Sequence, residues 1–231
     1  MAKTAPFETH HRRYDGWFER HREAYESELL AVRTLLPRHG RGLAIGVGTG
    51  RFAAPLGVEI GVDPVREMLD YARKRGITAV RAVAEALPFR DGGFDYILSV
   101  TTLCFVDDAA AMFAEAYRVL RPGGTVVVGL IDRDSRFGAD YLAHQAESLF
   151  YRAATFYSAA EVERLLGEAG FAEPDWVQTL YRPLRESDAI ESPQPGHGRG
   201  GFVVVRARRS GNRRESGSGT AMPALPPDEK G

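Results

Sequence analysis

The chain has 231 residues, 44% of them hydrophobic, enough to bury one substantial core without disulfides or a structural metal. Lys and Arg number 30 against 31 Asp and Glu, so the formal charge of −1 supplies no global field toward nucleic acid or an anionic membrane, and a small-molecule partner is expected. The single cysteine, Cys104, excludes an intramolecular disulfide and a thiolate zinc cluster; with neither a signal-like N-terminus nor a window approaching the roughly 20 apolar residues of a membrane span, a cytoplasmic protein is expected.

Tyr25, Leu29, Val32 and Leu36 recur at near-helical spacing, which predicts an amphipathic helix from about His21 to Leu36, stopped by Pro37 before Gly40. GLAIGVGTGRFAAPLG then reads as a short strand, a glycine turn and the start of a helix, and VEIGVD as a strand ending in an acid. PVREMLDYARKRG places Met68, Leu69 and Ala72 on one helical face with Gly76 as the stop, and TAVRAV follows as a buried strand. Beyond the turn-like RDGG come a fourth strand, FDYILSV, and a helix begun by Asp107 or Asp108 and ended by Pro122 and Gly123. TVVVGLI is the fifth strand.

A helical stretch over about 139–150 precedes SAAEVERLLGEAG, where Ser158 and Glu161 form the Ser-x-x-Glu pattern of a capping box. WVQTLYR and GFVVVRARR complete the ordered pieces, separated by a Pro- and Gly-rich connection over 183–201. The strand and helix alternation implies an α/β fold, a parallel sheet with helices on both faces and a ligand crevice beyond the carboxyl ends of the strands. The expected organisation is an N-terminal helical cap or lid over 1–40, one catalytic domain over 41–209 and a disordered polar tail over 210–231.

In Gly46-Val47-Gly48-Thr49-Gly50 the absent side chains let the backbone turn tightly and approach a ligand. A dinucleotide fingerprint, G-x-G-x-x-G, would need Gly or Ala where this chain has Arg51, which argues against NAD. Asp63 closes the second strand 17 positions after Gly46, where a carboxylate can accept from both hydroxyls of an adenosine ribose; a helix-capping role is the alternative.

IGVGTG, then IGVD with MLDYAR, then AEALPF with FDYILSV, then EAYRVLRPGG follow one another in an order that resembles the small-molecule, methyltransferase type 11-like branch of the class I S-adenosylmethionine-dependent methyltransferases. The resemblance runs from about Leu43 to Ile131 and more loosely to Arg209. It implies a Rossmann-like fold whose seven-stranded, mostly parallel sheet has an antiparallel last strand. It also implies S-adenosylmethionine as cofactor, S-adenosylhomocysteine as product, and in-line methyl transfer to N, O, S or C of a small molecule, with an amine slightly preferred. By the same resemblance Tyr14, Gly46, Val47, Gly48, Asp63, Pro64, Met68, Ala84, Glu85, Val100 and Thr101 bind the cofactor. Gly46 to Gly48 would line its methionine part, Asp63 the ribose, Met68 an adenine face, and Ala84 with Glu85 the adenine edge. Ala44 and Val83 depart from the pattern at positions where the family often carries acids.

Displacement at a sulfonium needs positioning and exclusion of water more than a fixed catalytic triad. The expected acceptor pocket therefore draws on 14–18, 101–106, 132–136 and 150–157, with Tyr14, Thr102, Cys104, Asp132 and His197 as candidates and no general base assigned. Tyr14 and Trp17 could close a lid or could staple the first amphipathic helix, and the 183–201 connection could cover the acceptor. The histidines are scattered, so no metal site is expected. A monomer or homodimer is expected. The alternative readings are an NAD-dependent oxidoreductase and a non-catalytic adenosyl-binding protein.

Overall fold

In the computed structural model, which describes residues 3–183 and 188–211, three helices lead in: α1 (Ala5–Asp15), α2 (Trp17–Arg20) and α3 (Arg22–Leu35). There follow β1 (Gly42–Ile45), β2 (Ile60–Asp63), α4 (Arg66–Lys74), β3 (Thr78–Arg81), β4 (Phe94–Val100), α5 (Ala109–Val119), β5 (Leu120–Ile131) and α6 (Arg136–Ala143). The chain closes with α7 (Ala159–Glu168), β6 (Phe171–Thr179), β7 (Gln194–Pro195) and β8 (Phe202–Arg209). The tail foreseen over 210–231 lies, from residue 212 on, outside the described residues.

The sheet runs in the order β3-β2-β1-β4-β5-β8-β6-β7. The first five strands are mutually parallel, and β8 runs antiparallel between β5 and β6. The sheet thus has eight strands rather than the expected seven; the extra one is two-residue β7, which turns the 183–201 connection back along the β6 edge. Strand alternation sorts the core into two layers. Leu43, Ile45, Ile97, Val126 and Val128 meet the α5 and α7 side through Met112, Phe113 and Val162, whereas Ala44, Leu98, Val127 and Val204 meet α3 and α4 through Val32, Leu35 and Leu69.

Local signals set most element ends. Asp108 caps α5 by accepting from the Ala111 amide at 3.0 Å, and both halves of the Ser158/Glu161 capping box form. The helix expected after the glycine turn does not form; residues 51–57 make successive turns instead. Pro55 has no N–H to give the Arg51 carbonyl, which accepts from the Tyr25 hydroxyl at 2.5 Å, and Gly57 ends the segment with φ at +75°. Helical structure around 139–150 is confined to α6 and a short 3-10 turn. Among the described residues no helix is long and apolar enough to cross a membrane.

Candidate functional site

The carboxyl ends of β1, β2 and β4 open into a cleft lined by Gly46, Gly48, Asp63, Pro64, Met68, Ala84, Val100, Thr101 and Thr102. Gly46 turns with φ at +66°, and a Cβ there would overlap the Thr102 side chain, so only glycine permits this packing. The Gly48 amide donates to Asp63 Oδ2 at 3.0 Å, and the Val65 amide donates to Oδ1 at 2.9 Å. The carboxylate is thus fixed at the end of β2, and it is 8% exposed. Burial pushes its pKa up to about 6 against the opposing pull of those two amides. Across the cleft Phe7, Val65 and Met68 form an apolar cluster backed by Phe105 and Tyr14.

Two expected contributors stand differently. The Val47 side chain leaves the cleft and packs where a Cβ on Gly61 would sit, so only its backbone belongs to the turn. Glu85 lines the cleft, but its Oε1 accepts from the Asp107 amide at 2.8 Å and is 3.3 Å from that of Asp108, tying it to the approach to α5. Val83, where the resemblance would place an acid, also lines the cleft and is 38% exposed.

The N-terminal helices contribute Phe7 and Tyr14 to the lining of the cleft and are held by charges that sequence reasoning missed. Arg51 donates to both Asp15 carboxylate oxygens, at 3.1 and 2.9 Å, and to Glu19 at 2.6 Å. Arg75 joins Asp15 at 3.0 Å and the Thr49 carbonyl at 2.8 Å. Burial alone would raise the Asp15 pKa, but the guanidinium bonds outweigh it and hold the carboxyl below its ordinary value. These pairs span 26 to 60 residues in sequence, and nothing in the spacing announces them.

Beside these helices lies a second cavity of about 360 Å³, which shares Phe7, Tyr14, Thr101 and Phe105 with the cleft. Its walls are aromatic: Trp17, Phe18, Phe52, Phe137, Tyr141, Phe150 and Tyr151. Tyr14 meets Phe7, Phe18 and Phe150 edge-on at 5.4, 5.4 and 5.8 Å between ring centroids, and Tyr141 meets Tyr151 edge-on at 5.3 Å. Burial raises the pKa of the Tyr14, Tyr141 and Tyr151 hydroxyls, so all three stay neutral. Thr101, at the junction, adopts φ +49°, a left-handed conformation rare for a β-branched residue, with its amide donating to the Gly129 carbonyl at 2.8 Å.

Also facing this cavity is Glu28, 7% exposed, its pKa pushed up to about 8 by burial. The reading of 21–36 as an amphipathic helix did not single it out. The signal was positional: Glu28 falls between Ala24 and Val32, each four residues away, on the arc of α3 that faces inward.

The acceptor-pocket candidates scatter. Tyr14 lies at the junction of both cavities. Thr102 lines the cleft with its hydroxyl 3.2 Å from the Ile45 carbonyl. The Cys104 thiol points to the Thr101 carbonyl at 3.5 Å in a separate small pocket, and burial pushes it up to about 12, which keeps it protonated. Asp132, 2% exposed, accepts from the Asp134 and Ala159 amides, each at 3.2 Å, and lines neither cavity. His197 stands against Trp176 with ring centroids 5.2 Å apart at the β6 and β7 edge and lines neither cavity. Nor does the described part of the 183–201 connection cover them; it is tied to α3 where the Glu191 amide donates to Ser27 Oγ at 2.8 Å. Among the described residues no group of three or more His, Cys, Asp or Glu is placed to hold a metal ion.

A family model described as a methyltransferase domain matches residues 43–128, the part of the chain that carries the cleft. A protein of Methanocaldococcus jannaschii is 43% identical over 203 residues, covering 88% of this chain and 98% of its own. A crystal structure from Thermotoga maritima, described as a SAM-dependent methyltransferase and possible histamine N-methyltransferase, is 46% identical with a TM-score of 0.88 over 90% of this chain and 100% of that one. The chain belongs to the class I S-adenosylmethionine-dependent methyltransferases. The same fold, at 18% identity and TM-score 0.58 over 80% of this chain and 52% of that one, occurs in a Haemonchus contortus phosphoethanolamine N-methyltransferase 2, a structure that contains S-adenosylhomocysteine.

The cofactor of this methyltransferase is S-adenosylmethionine, and the donor set of the cleft fits it. A buried carboxylate suits vicinal hydroxyls, the apolar Met68 and Val65 surface suits a purine face, and the glycine turn admits close approach. Membership in this family sets aside the oxidoreductase alternative, in keeping with Arg51, whose guanidinium is committed to Asp15 and Glu19.

Proposed function

We propose that this methyltransferase acts on a small molecule enclosed by the aromatic cavity, with the cofactor held by Gly46, Gly48, Asp63, Pro64, Met68, Ala84, Val100 and Thr101. Residues 1–40 serve as the cap and 41–209 as the methyltransferase domain. The observation that carries this reading is the second cavity itself, which meets the cofactor cleft along Phe7, Tyr14, Thr101 and Phe105 and has the size of a small-ligand site. When bound, S-adenosylmethionine supplies an activated methyl group on a sulfonium and leaves as S-adenosylhomocysteine. The chain's own part is to position the acceptor and exclude water: Asp63 accepts from the ribose hydroxyls, Met68 covers one adenine face, and Tyr14 with Thr101 borders the passage between the cavities.

The name of the Thermotoga maritima relative favours nitrogen as the acceptor atom. The test is a transfer assay with methyl-labelled cofactor against pooled small amines, phenols and thiols and, in parallel, total RNA and denatured protein. Label is expected in the low-molecular-weight fraction. Label confined to RNA or protein would overturn the small-molecule reading.

A further inference from the structure

We propose that Glu28 anchors the acceptor as a protonatable amine and takes up the proton whose removal frees the nitrogen for methylation. This rests on the small-molecule reading above and names its substrate class. Glu28 projects from α3 into the aromatic cavity, is 7% exposed, and has no hydrogen-bond or ion-pair partner among the described residues. A buried carboxylate is ordinarily paired, because leaving it alone in an apolar setting is costly. The cations nearest the cavity do not supply the partner: Arg13 and Arg20 are exposed at its rim, and Arg20 donates to the Arg13 carbonyl at 3.1 Å.

The chemistry of the walls agrees with that vacancy in pairing. Trp17, Phe18, Tyr141 and Tyr151 line the cavity, and aromatic rings attract a cation, most strongly where water is excluded. A compact organic ammonium would thus meet one carboxylate and several rings. A neutral alcohol or an anionic acceptor would gain little from Glu28.

The step balances without a further reactant. An ammonium group arriving on ionised Glu28 gives it one proton, leaving a neutral amine with a free lone pair. That lone pair forms the C–N bond as the methyl–sulfur bond breaks, the bonding electrons remaining on sulfur. The product departs as a methylammonium ion, and Glu28 returns its proton to water.

The groups facing Glu28 leave it as the one that titrates near neutrality. Tyr14 on α1, Tyr25 on α3, Tyr141 on α6 and Tyr151 after it are all raised by burial, and so stay neutral. His21 is lowered by burial and by Arg20, so it is uncharged above neutrality. Arg13, Arg20 and Glu147 stand at the rim.

The experiment is calorimetric titration of the full chain, saturated with S-adenosylhomocysteine, using phenethylamine and its neutral counterpart 2-phenylethanol. Phenethylamine remains an ammonium ion across the range, so its affinity is expected to rise about tenfold or more between about pH 6.5 and about pH 9 as Glu28 ionises. The Glu28→Gln protein should lose that rise, bind 2-phenylethanol as the wild type does, and keep its affinity for S-adenosylhomocysteine, which also verifies folding. The wild-type pH profile needs no variant. A flat profile, equal affinity for both probes, or amine binding indifferent to Glu28→Gln overturns the proposal while leaving a small-molecule site in place. Failure of both probes to bind also overturns it, and the small-molecule reading then stands or falls on the labelled-methyl assay.

Discussion

Replacing Asp63 with alanine is expected to lower the affinity for S-adenosylhomocysteine by about two to three orders of magnitude, since two charge-assisted hydrogen bonds at about 1.5–3 kcal/mol each are at stake. The carboxylate does two things at once. It faces the cleft, and it draws the Gly48 and Val65 amides onto itself at 3.0 and 2.9 Å. Alanine therefore removes the proposed ribose acceptor and leaves both amides without that partner, loosening the glycine turn and the start of α4. The sign of the pH dependence follows from the raised carboxyl. With its pKa at about 6, Asp63 is the needed anion above that value and becomes a protonated acid below it. Wild-type affinity should accordingly fall as pH drops through about 6, whereas the Asp63→Ala protein should show no such step. The unliganded fold is not weakened by this protonation, because a carboxyl raised on folding binds its proton more tightly in the folded state. Calorimetry at about pH 5 and about pH 8 on both proteins checks the expectation, and an alanine variant that binds as tightly as wild type would remove Asp63 from the cofactor site.

Glu28→Gln is expected to stabilise the unliganded protein at alkaline pH while abolishing amine recognition. Burial raises the Glu28 carboxyl from 4.5 to about 8, so the folded state holds a proton that the unfolded chain has released between those values. Stability contributed by that proton is present below about pH 4.5 and is lost as pH rises to about 8, after which the cost of the buried anion is complete. Glutamine keeps the shape and carries no charge. The gap between variant and wild type should open across that window and level off at roughly 2–5 kcal/mol, the upper figure being the full shift at 1.36 kcal/mol per unit and the lower allowing for water in the cavity. For a chain of this size that is about 5–15 °C in melting temperature. Thermal denaturation at about pH 5 and about pH 9 measures it; a difference between the two proteins that does not change with pH would mean that Glu28 is not the buried, unpaired acid described.

The parts of this architecture that the sequence carries openly are those encoded by short-range chemistry. The period-2 apolar runs FDYILSV and TVVVGLI became β4 and β5, Ser158 and Glu161 capped α7 as their spacing requires, and Gly46 and Gly48 took positive φ at the turn. Asp63 stood out in the sequence as the acid ending the strand after the glycine turn, and the structure puts it on the cleft while its Oδ1 also accepts from the Val65 amide at the start of α4. What stayed hidden depends on contacts between distant segments. Pro55 cancelled the helix expected after the turn, and Tyr25, 26 residues away from Arg51, took over the carbonyl so released. Glu85 lines the cleft, but the tie of its Oε1 to the amides entering α5 left no trace in the sequence. His197 sits in a loop whose direction depends on the two-residue strand β7, too short to leave a periodic trace. Glu28 was hidden for a different reason: a single charge on a helix reads as solvated until the opposite wall of rings is in place.

The most direct test of the central claim, that the glycine-turn cleft is a S-adenosylmethionine site, is calorimetric titration of the wild-type chain with S-adenosylhomocysteine and, separately, with NADH near neutral pH. One equivalent of S-adenosylhomocysteine should bind with a dissociation constant on the order of micromolar, about −8 kcal/mol, and NADH should give no saturable heat. Saturable binding of NADH together with none of S-adenosylhomocysteine would contradict the account.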